Sequence, residues 1–212
     1  MSLRESIGRQ CRKPEGTFGR MVARKMNRSH DDVTKWGLQF LEAGSGARLL
    51  DIGCGGGKNI ENLATIAPHG KVIGLDHSRD MVTLSRQINL HLLQDERVGV
   101  VQASVSNLPF KAASFDAITA VETHFFWPDL VNDLREVRRV LRPGGMILLI
   151  SEAYSHPDFE ERNREWEIMS DFKIAAPDET KKSLEEAGLV EVELATCEER
   201  NWLAAWGRSP RL

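Results

Sequence analysis

Two acids and a cluster of glycines carry the clearest chemistry in this sequence. Leu49-Leu50-Asp51-Ile52 reads as a buried strand that breaks at Gly53-Cys54-Gly55-Gly56-Gly57 into a loop. Glycine permits the tight turn and lets backbone approach a ligand, while the helix that follows presents unpaired N–H groups to it. Such a loop suits a nucleotide-like cofactor. A dinucleotide fingerprint starting at Gly53 needs glycine where Lys58 stands, and a phosphate-binding P-loop fails at Ile52 and Asn59. What remains is D-x-G-x-G-x-G from Asp51 to Gly57, with a second acid, Asp76, closing the next apolar run, Lys71 to Leu75.

This pattern resembles the class I S-adenosylmethionine-dependent methyltransferases, in the branch that includes quinone-biosynthesis C-methyltransferases. Further stretches match in order: Asp76 to Met81 at the second motif, Ala103-Ser104 after the third strand, Ser114 to Ile118 at the fourth, and Leu141 to Gly145 as the turn before the fifth. The resemblance implies S-adenosyl-L-methionine as cofactor and S-adenosyl-L-homocysteine as product. It implies cofactor contacts at Asp51, Gly53, Gly55, Gly57, Asp76, His77, Met81, Ala103, Ser104 and Val121. Asp51 and the glycine backbone would face the methionine part, and Asp76 would accept both ribose hydroxyls, since one carboxylate can take two hydrogen bonds from a diol. Ser104 stands where the family usually has an acid.

The acceptor should enter after the fourth strand, at Val121-Glu122-Thr123-His124-Phe125-Phe126-Trp127-Pro128. That stretch lacks the N-P-P-Y signature of relatives that methylate amide or adenine nitrogens, so a small-molecule acceptor is expected. His124 is the first candidate for a general base because imidazole titrates near neutral pH, and His30 is the second. Glu122, Phe126 and Trp127 are the candidate acceptor wall. Gly19-Arg20-Met21 is a candidate clamp for the cofactor carboxylate or the acceptor. No His/Cys/carboxylate run has metal-ligand spacing, so no metal is expected. Two other readings stay open: a module that binds the cofactor without turnover, and a nucleic-acid methyltransferase.

The elements that must position these groups alternate. Asp31 and Asp32 should cap a helix running through Val33, Trp36, Leu38, Phe40 and Leu41 and packing on the sheet edge. Helices with apolar positions Ile60, Leu63, Ile66, then Met81, Leu84, Ile88, then Leu130, Leu134, Val137, Leu141 follow successive short apolar strands. A helix over Lys181 to Ala187, a strand over Leu189 to Leu194, and a last strand over Asn201 to Trp206 close the chain. Such alternation predicts an α/β, Rossmann-like sheet of seven mostly parallel strands, helices on both faces and an antiparallel last strand. Residues 1–44 are expected to form a helical cap segment, residues 45–212 the domain proper, and 152–178 an acceptor-side insertion.

With 212 residues, 41% of them hydrophobic, and a net charge of -3, the chain has the composition of one globular unit. Its three cysteines, Cys11, Cys54 and Cys197, show no C-x-x-C pairing, which fits a reducing, cytoplasmic setting. Cys54 is expected to serve only as a small residue in a tight turn. No apolar run is long enough to span a bilayer. The basic N-terminal arm, with Arg4, Arg9, Arg12 and Lys13 at its start, has no acidic counterweight of equal size, yet the near-neutral total argues against nucleic acid as the partner.

Overall fold

A computed structural model describes residues 14–211 together with Gln10. Seven strands form a single sheet: β1 (Arg48–Ile52), β2 (Lys71–Asp76), β3 (Val98–Gln102), β4 (Phe115–Val121), β5 (Leu141–Ser151), β6 (Val190–Cys197) and β7 (Trp202–Arg208). Their order is β3-β2-β1-β4-β5-β7-β6, parallel throughout except for β7, which runs antiparallel to both neighbours. This is the expected Rossmann-like arrangement. The strand order reverses beside β1, between β2 and β4, and the carboxyl ends of strands at such a switch point are where α/β sheets bind ligands.

Alternation along the strands divides the core in two. Leu50, Ile52, Ile118, Ile147 and Leu149 face one side, where α6 (Leu130–Val140) and α8 (Pro177–Glu186) supply Leu134, Val137 and Leu184. Leu49, Ala117, Met146, Leu148 and Ile150 face the other, against Val33 of α2 (Asp31–Gly37), Ile60 and Leu63 of α3 (Lys58–Ile66), Val82 of α4 (Arg79–Ile88), and Leu92 and Leu93 of the short α5 (Leu90–Gln94). Each fully buried Leu or Ile contributes about 1.5–3 kcal/mol, so strands covered on both faces hold their ends in fixed register. Side-chain caps set two helix starts: Ser78 accepts from the Met81 N–H, and Asp129 from the Asn132 N–H.

Several expectations are corrected. The helix at Asp31 covers the face of the sheet over β5 and β7 rather than its edge, because Gly37 lets the backbone lie against Ile150. It ends at Gly37 and gives way to a single 3-10 turn, Leu38–Phe40. His30, not an aspartate, occupies its N-cap position, so Asp31 and Asp32 sit in the first turn and act on the helix dipole. Leu141 opens β5 instead of ending α6. The residues after it loop out as an irregularity, since Phe115 pairs with Leu141 and Ala117 already pairs with Met146. The proline there has no N–H to give to the ladder.

The N-terminal segment runs through α1 (Gly16–Ser29) and turns at His30 into α2. It is fastened to the start of α4: Ser78 Oγ donates to the Pro14 carbonyl at 2.8 Å, the Gly16 N–H to Asp80 Oδ2 at 2.7 Å, and Arg20 pairs with Asp80 at 3.1 Å. The arm residues Arg4, Arg9, Arg12 and Lys13, and Cys11, lie outside the described residues. Between β5 and β6, residues 152–178 form α7 (Glu160–Ser170) and the loop that leads into α8. No helix among the described residues is long and apolar enough to cross a membrane.

Candidate active site

The glycine loop joins three strand ends. The Gly53 and Cys54 N–H groups both donate to the Leu75 carbonyl, at 2.7 and 3.0 Å, tying the loop to β2. Gly53 has φ +73, and a Cβ there would lie 2.2 Å from Thr123 Oγ1, so glycine is what allows the loop to close on the segment after β4. Gly57 has φ +82 at the start of α3, where a Cβ would meet Ser85 Oγ at 2.3 Å.

Both acids are buried around this loop. Asp51 Oδ1 accepts from Asn59 Nδ2 and Thr119 Oγ1, each at 2.8 Å. Burial pushes its carboxyl up to about 6, against these two hydrogen bonds. Asp76 accepts from the Ser78 N–H at 2.8 Å and the Gly55 N–H at 2.9 Å, one on each oxygen, and burial raises it as well. A carboxylate has about four acceptor positions, so acceptor capacity remains on Asp76 beyond these bonds.

Asp51, Asp76, His77, Met81, Val121 and Phe126 line one cleft, together with the loop. The N-terminal segment closes it with Ala23, Met26, His30, Asp31 and Thr34. Three buried polar atoms on this wall have no partner among the described residues: Asp31 Oδ1, Asn59 Oδ1 and Asn62 Nδ2. Asn59 and Asn62 stand one turn apart on α3, and Asp31 is close enough to raise the Lys58 amine through its charge. Unpaired buried groups of both polarities beside a glycine loop fit the zwitterionic amino-acid end of S-adenosylmethionine. The two acids fit its cationic groups and its ribose.

At the other end of the cleft the termini of β4 and β5 meet the turn between α1 and α2. His30 Nε2 lies 3.3 Å from Glu152 Oε1, and Glu122 accepts from the Glu152 N–H in a short contact. Donor atoms of His30, Glu122 and Glu152 all lie within 4.8 Å of one another, a set also able to hold a metal ion. Burial drives the Glu122 carboxyl up to about 8, with the His30 charge opposing it and the Glu152 charge adding to it. For His30, burial works to lower its affinity for a proton and is outweighed by the bond to Glu152 and the charges of both glutamates. Glu122 also holds a left-handed backbone, φ +55, which is unusual for a residue with a side chain.

Comparison with known proteins matches this geometry. A methyltransferase-domain family model covers residues 50–149. The demethylmenaquinone methyltransferase of Lactococcus lactis is 34% identical over 134 residues, 63% of this chain and 51% of that protein. A chain of the complex between the Haloferax volcanii Trm112 methyltransferase activator and its methyltransferase superposes with a TM-score of 0.77 at 20% identity, covering 88% of this chain and 94% of the other. Across the part that builds the cofactor cleft, the chain is similar to the class I S-adenosylmethionine-dependent methyltransferases. Phosphoethanolamine N-methyltransferase 2 of Haemonchus contortus, bound to phosphomonomethylethanolamine and S-adenosylhomocysteine, shares the fold of this chain, with a TM-score of 0.74 at 17% identity over 85% of this chain and 53% of that one. The first curated relatives are matched over only 34% and 51% of their own lengths.

Not every candidate residue falls in the cleft. His124 is buried in the wall of a second cavity, and burial lowers its imidazole to about 4, too weak for a base at neutral pH. Trp127 lines that cavity as well. Ala103 and Ser104 are not among the cleft residues: Ala103 packs on the core, and Ser104 forms an isolated bridge with Asn107. Arg20 is spent on Asp80, and Met21 is 61% exposed. Cys54 is buried with its thiol pushed far up by desolvation, consistent with a space-filling role. Glu152, Asp31 and Asn62 escaped the sequence reading. The β4–β5 pairing of Val121 with Ile150 brings Glu152 next to Glu122, one residue beyond its register partner, and only the fold shows it.

Proposed function

We propose that the protein transfers a methyl group from S-adenosylmethionine to a small molecule that enters between the ends of β4 and β5. When bound, that cofactor supplies a methyl group on a positively charged sulfur that leaves neutral. Asp51 and the unpaired groups of Asp31, Asn59 and Asn62 would bind its amino-acid end, and Asp76 the ribose. His30 and Glu122 would receive the proton that the acceptor loses, with Glu152 holding the imidazole in place. Burial of the cleft under α1 keeps water from competing, and alignment carries much of the remaining rate, as it does in displacements that need no acid on the leaving side.

The observation that carries this reading is the single cleft in which two buried acids and a glycine loop lie beside a His–Glu–Glu cluster. Calorimetric titration with S-adenosylmethionine and S-adenosylhomocysteine tests it. Saturable binding is expected, weakened at least about 30-fold in Asp76→Ala by loss of a charge-assisted diol contact, and turnover with a suitable acceptor should survive chelators. A folded protein that binds neither compound overturns the reading.

A further inference from the structure

Among the described residues, His30, Glu122 and Glu152 are the one set of three histidine, cysteine or acidic side chains whose donor atoms all lie within 4.8 Å of one another. They come from the turn between α1 and α2, the end of β4 and the end of β5. The set is recessed: the His30 and Glu152 side chains are only 18% and 27% exposed, and His30 and Glu122 line the cleft. Other histidine–acid pairs have one acid each and are more open. His77 beside Asp76 is 49% exposed, and Asp158 beside His156 is 82% exposed.

The distances fit one ion. Two donors bound at about 2.1 Å to a tetrahedral centre stand about 3.4 Å apart, and His30 Nε2 lies 3.3 Å from Glu152 Oε1. Glu122 accepts the Glu152 N–H on one oxygen, which leaves its other oxygen to ligate. Two carboxylates also balance the charge of a dication, so that no partner is left buried and uncompensated. Arg162 is the nearby cation whose charge reaches both glutamates. Its guanidinium is clasped by Phe159 and Trp166, 4.7 and 4.6 Å from the ring centres, and donates to Asn163 at 2.9 Å. It therefore opposes a bound ion without taking its place.

The donor types select the ion. An imidazole beside two carboxylates fits zinc and its first-row neighbours, whereas magnesium and calcium take oxygen ligands. Each donor binds metal through a lone pair that a proton would otherwise hold. An ion in this set and a proton taken from an acceptor are therefore alternatives.

We propose that His30, Glu122 and Glu152 form a binding site for a zinc-like divalent ion, and that the bound ion switches off the acceptor end of the cleft. The switching rests on the proposed methyl transfer, and the ion site does not. Both agree with turnover that survives chelators, because the working form carries no ion.

The probes are Zn²⁺, titrated calorimetrically into the full chain, and Co²⁺, followed by its visible absorption. Each should bind once per chain, and the cobalt spectrum should lack the thiolate band that capture by the free Cys197 would give. Glu152→Gln and His30→Gln should each weaken binding at least about tenfold. His156→Gln, at the open pair, should leave it unchanged, and Arg162→Gln should tighten it about threefold by removing an opposing charge. Thermal melts identify which variants fold, and either of the two ligand variants is sufficient. In initial-rate assays Zn²⁺ should suppress turnover and a chelator restore it. Equal affinity in the wild type and a folded ligand variant, or loss of binding in His156→Gln, marks an adventitious ion only and overturns the site. Turnover that persists or rises at saturating Zn²⁺ overturns the switch. Failure of S-adenosylhomocysteine to bind would instead strike the methyltransferase reading, while the cobalt spectrum still decides whether the ion site exists.

Discussion

The cofactor side of the cleft is assembled from neighbours in sequence, and the acceptor side from residues that meet only after folding. Asp51, the glycine loop and Asn59 lie within nine consecutive residues, and Asp76 ends the adjacent strand. His30, Glu122 and Glu152 come from three separate segments and touch across the ends of β4 and β5. Their energetics differ too. Asp51 and Asp76 are held by donors fixed in the backbone, on the sheet or on α3, whereas the cluster of His30, Glu122 and Glu152 is a balance of charges. Rigid preorganisation suits a cofactor that never varies. A balance that shifts with the ligand suits the partner that gains or loses a proton.

Asp51→Asn is the sharpest way to break this contrast. The carboxyl is raised from 3.8 to about 6, so its folded form holds a proton more tightly than the unfolded chain does. Stability from this group is therefore greatest below pH 4, falls as the pH rises toward 6, and is lowest at neutrality. The cost there is roughly 3 kcal/mol at 1.36 kcal/mol per pKa unit. The asparagine variant should melt several degrees higher at pH 7.5 while losing at least about tenfold in affinity for S-adenosylmethionine. A lower melting temperature with unchanged affinity would remove Asp51 from the binding machinery.

The acceptor side is probed by Glu122→Gln. Because the folded carboxyl is raised to about 8 from 4.5, stability falls as the pH climbs through this window, and kcat/KM should rise over the same window as the base loses its proton. Glutamine should flatten both profiles and leave cofactor affinity within about twofold. Urea melts at pH 6 and pH 9, run beside initial rates, read the two together. Arg20→Ala has the smallest expected effect. Its pair with Asp80 is more than a third exposed on both sides, so the loss should stay under about 1 kcal/mol in thermal melts.

The sequence was legible where the physics is local. A strand, a glycine turn and a terminal acid specify one another within a few residues, so the cofactor loop, the seven alternating strands and the antiparallel last strand could be read before any geometry was available. Ser104 shows where this stops: its place after β3 matched a motif, but it forms an isolated bridge with Asn107 and is not among the cleft residues. His124 shows a second limit. Its type suits a base, yet only packing decides that it is buried in an apolar wall with a depressed pKa. Glu152 needed the register of β4 on β5, and His30 needed the turn between two helices, neither of which is marked by a composition or a period.

That turn has a consequence for how this chain can be lengthened or cut. His30 ends α1 and begins α2 at once, and its ring must point at Glu152 while the preceding helix remains fastened at Pro14, Gly16 and Arg20. One residue added to or removed from α1 rotates everything beyond it by about 100°. Between the fastening and the histidine, insertions and deletions are therefore barred even where single substitutions pass, and length itself becomes part of the site's specification.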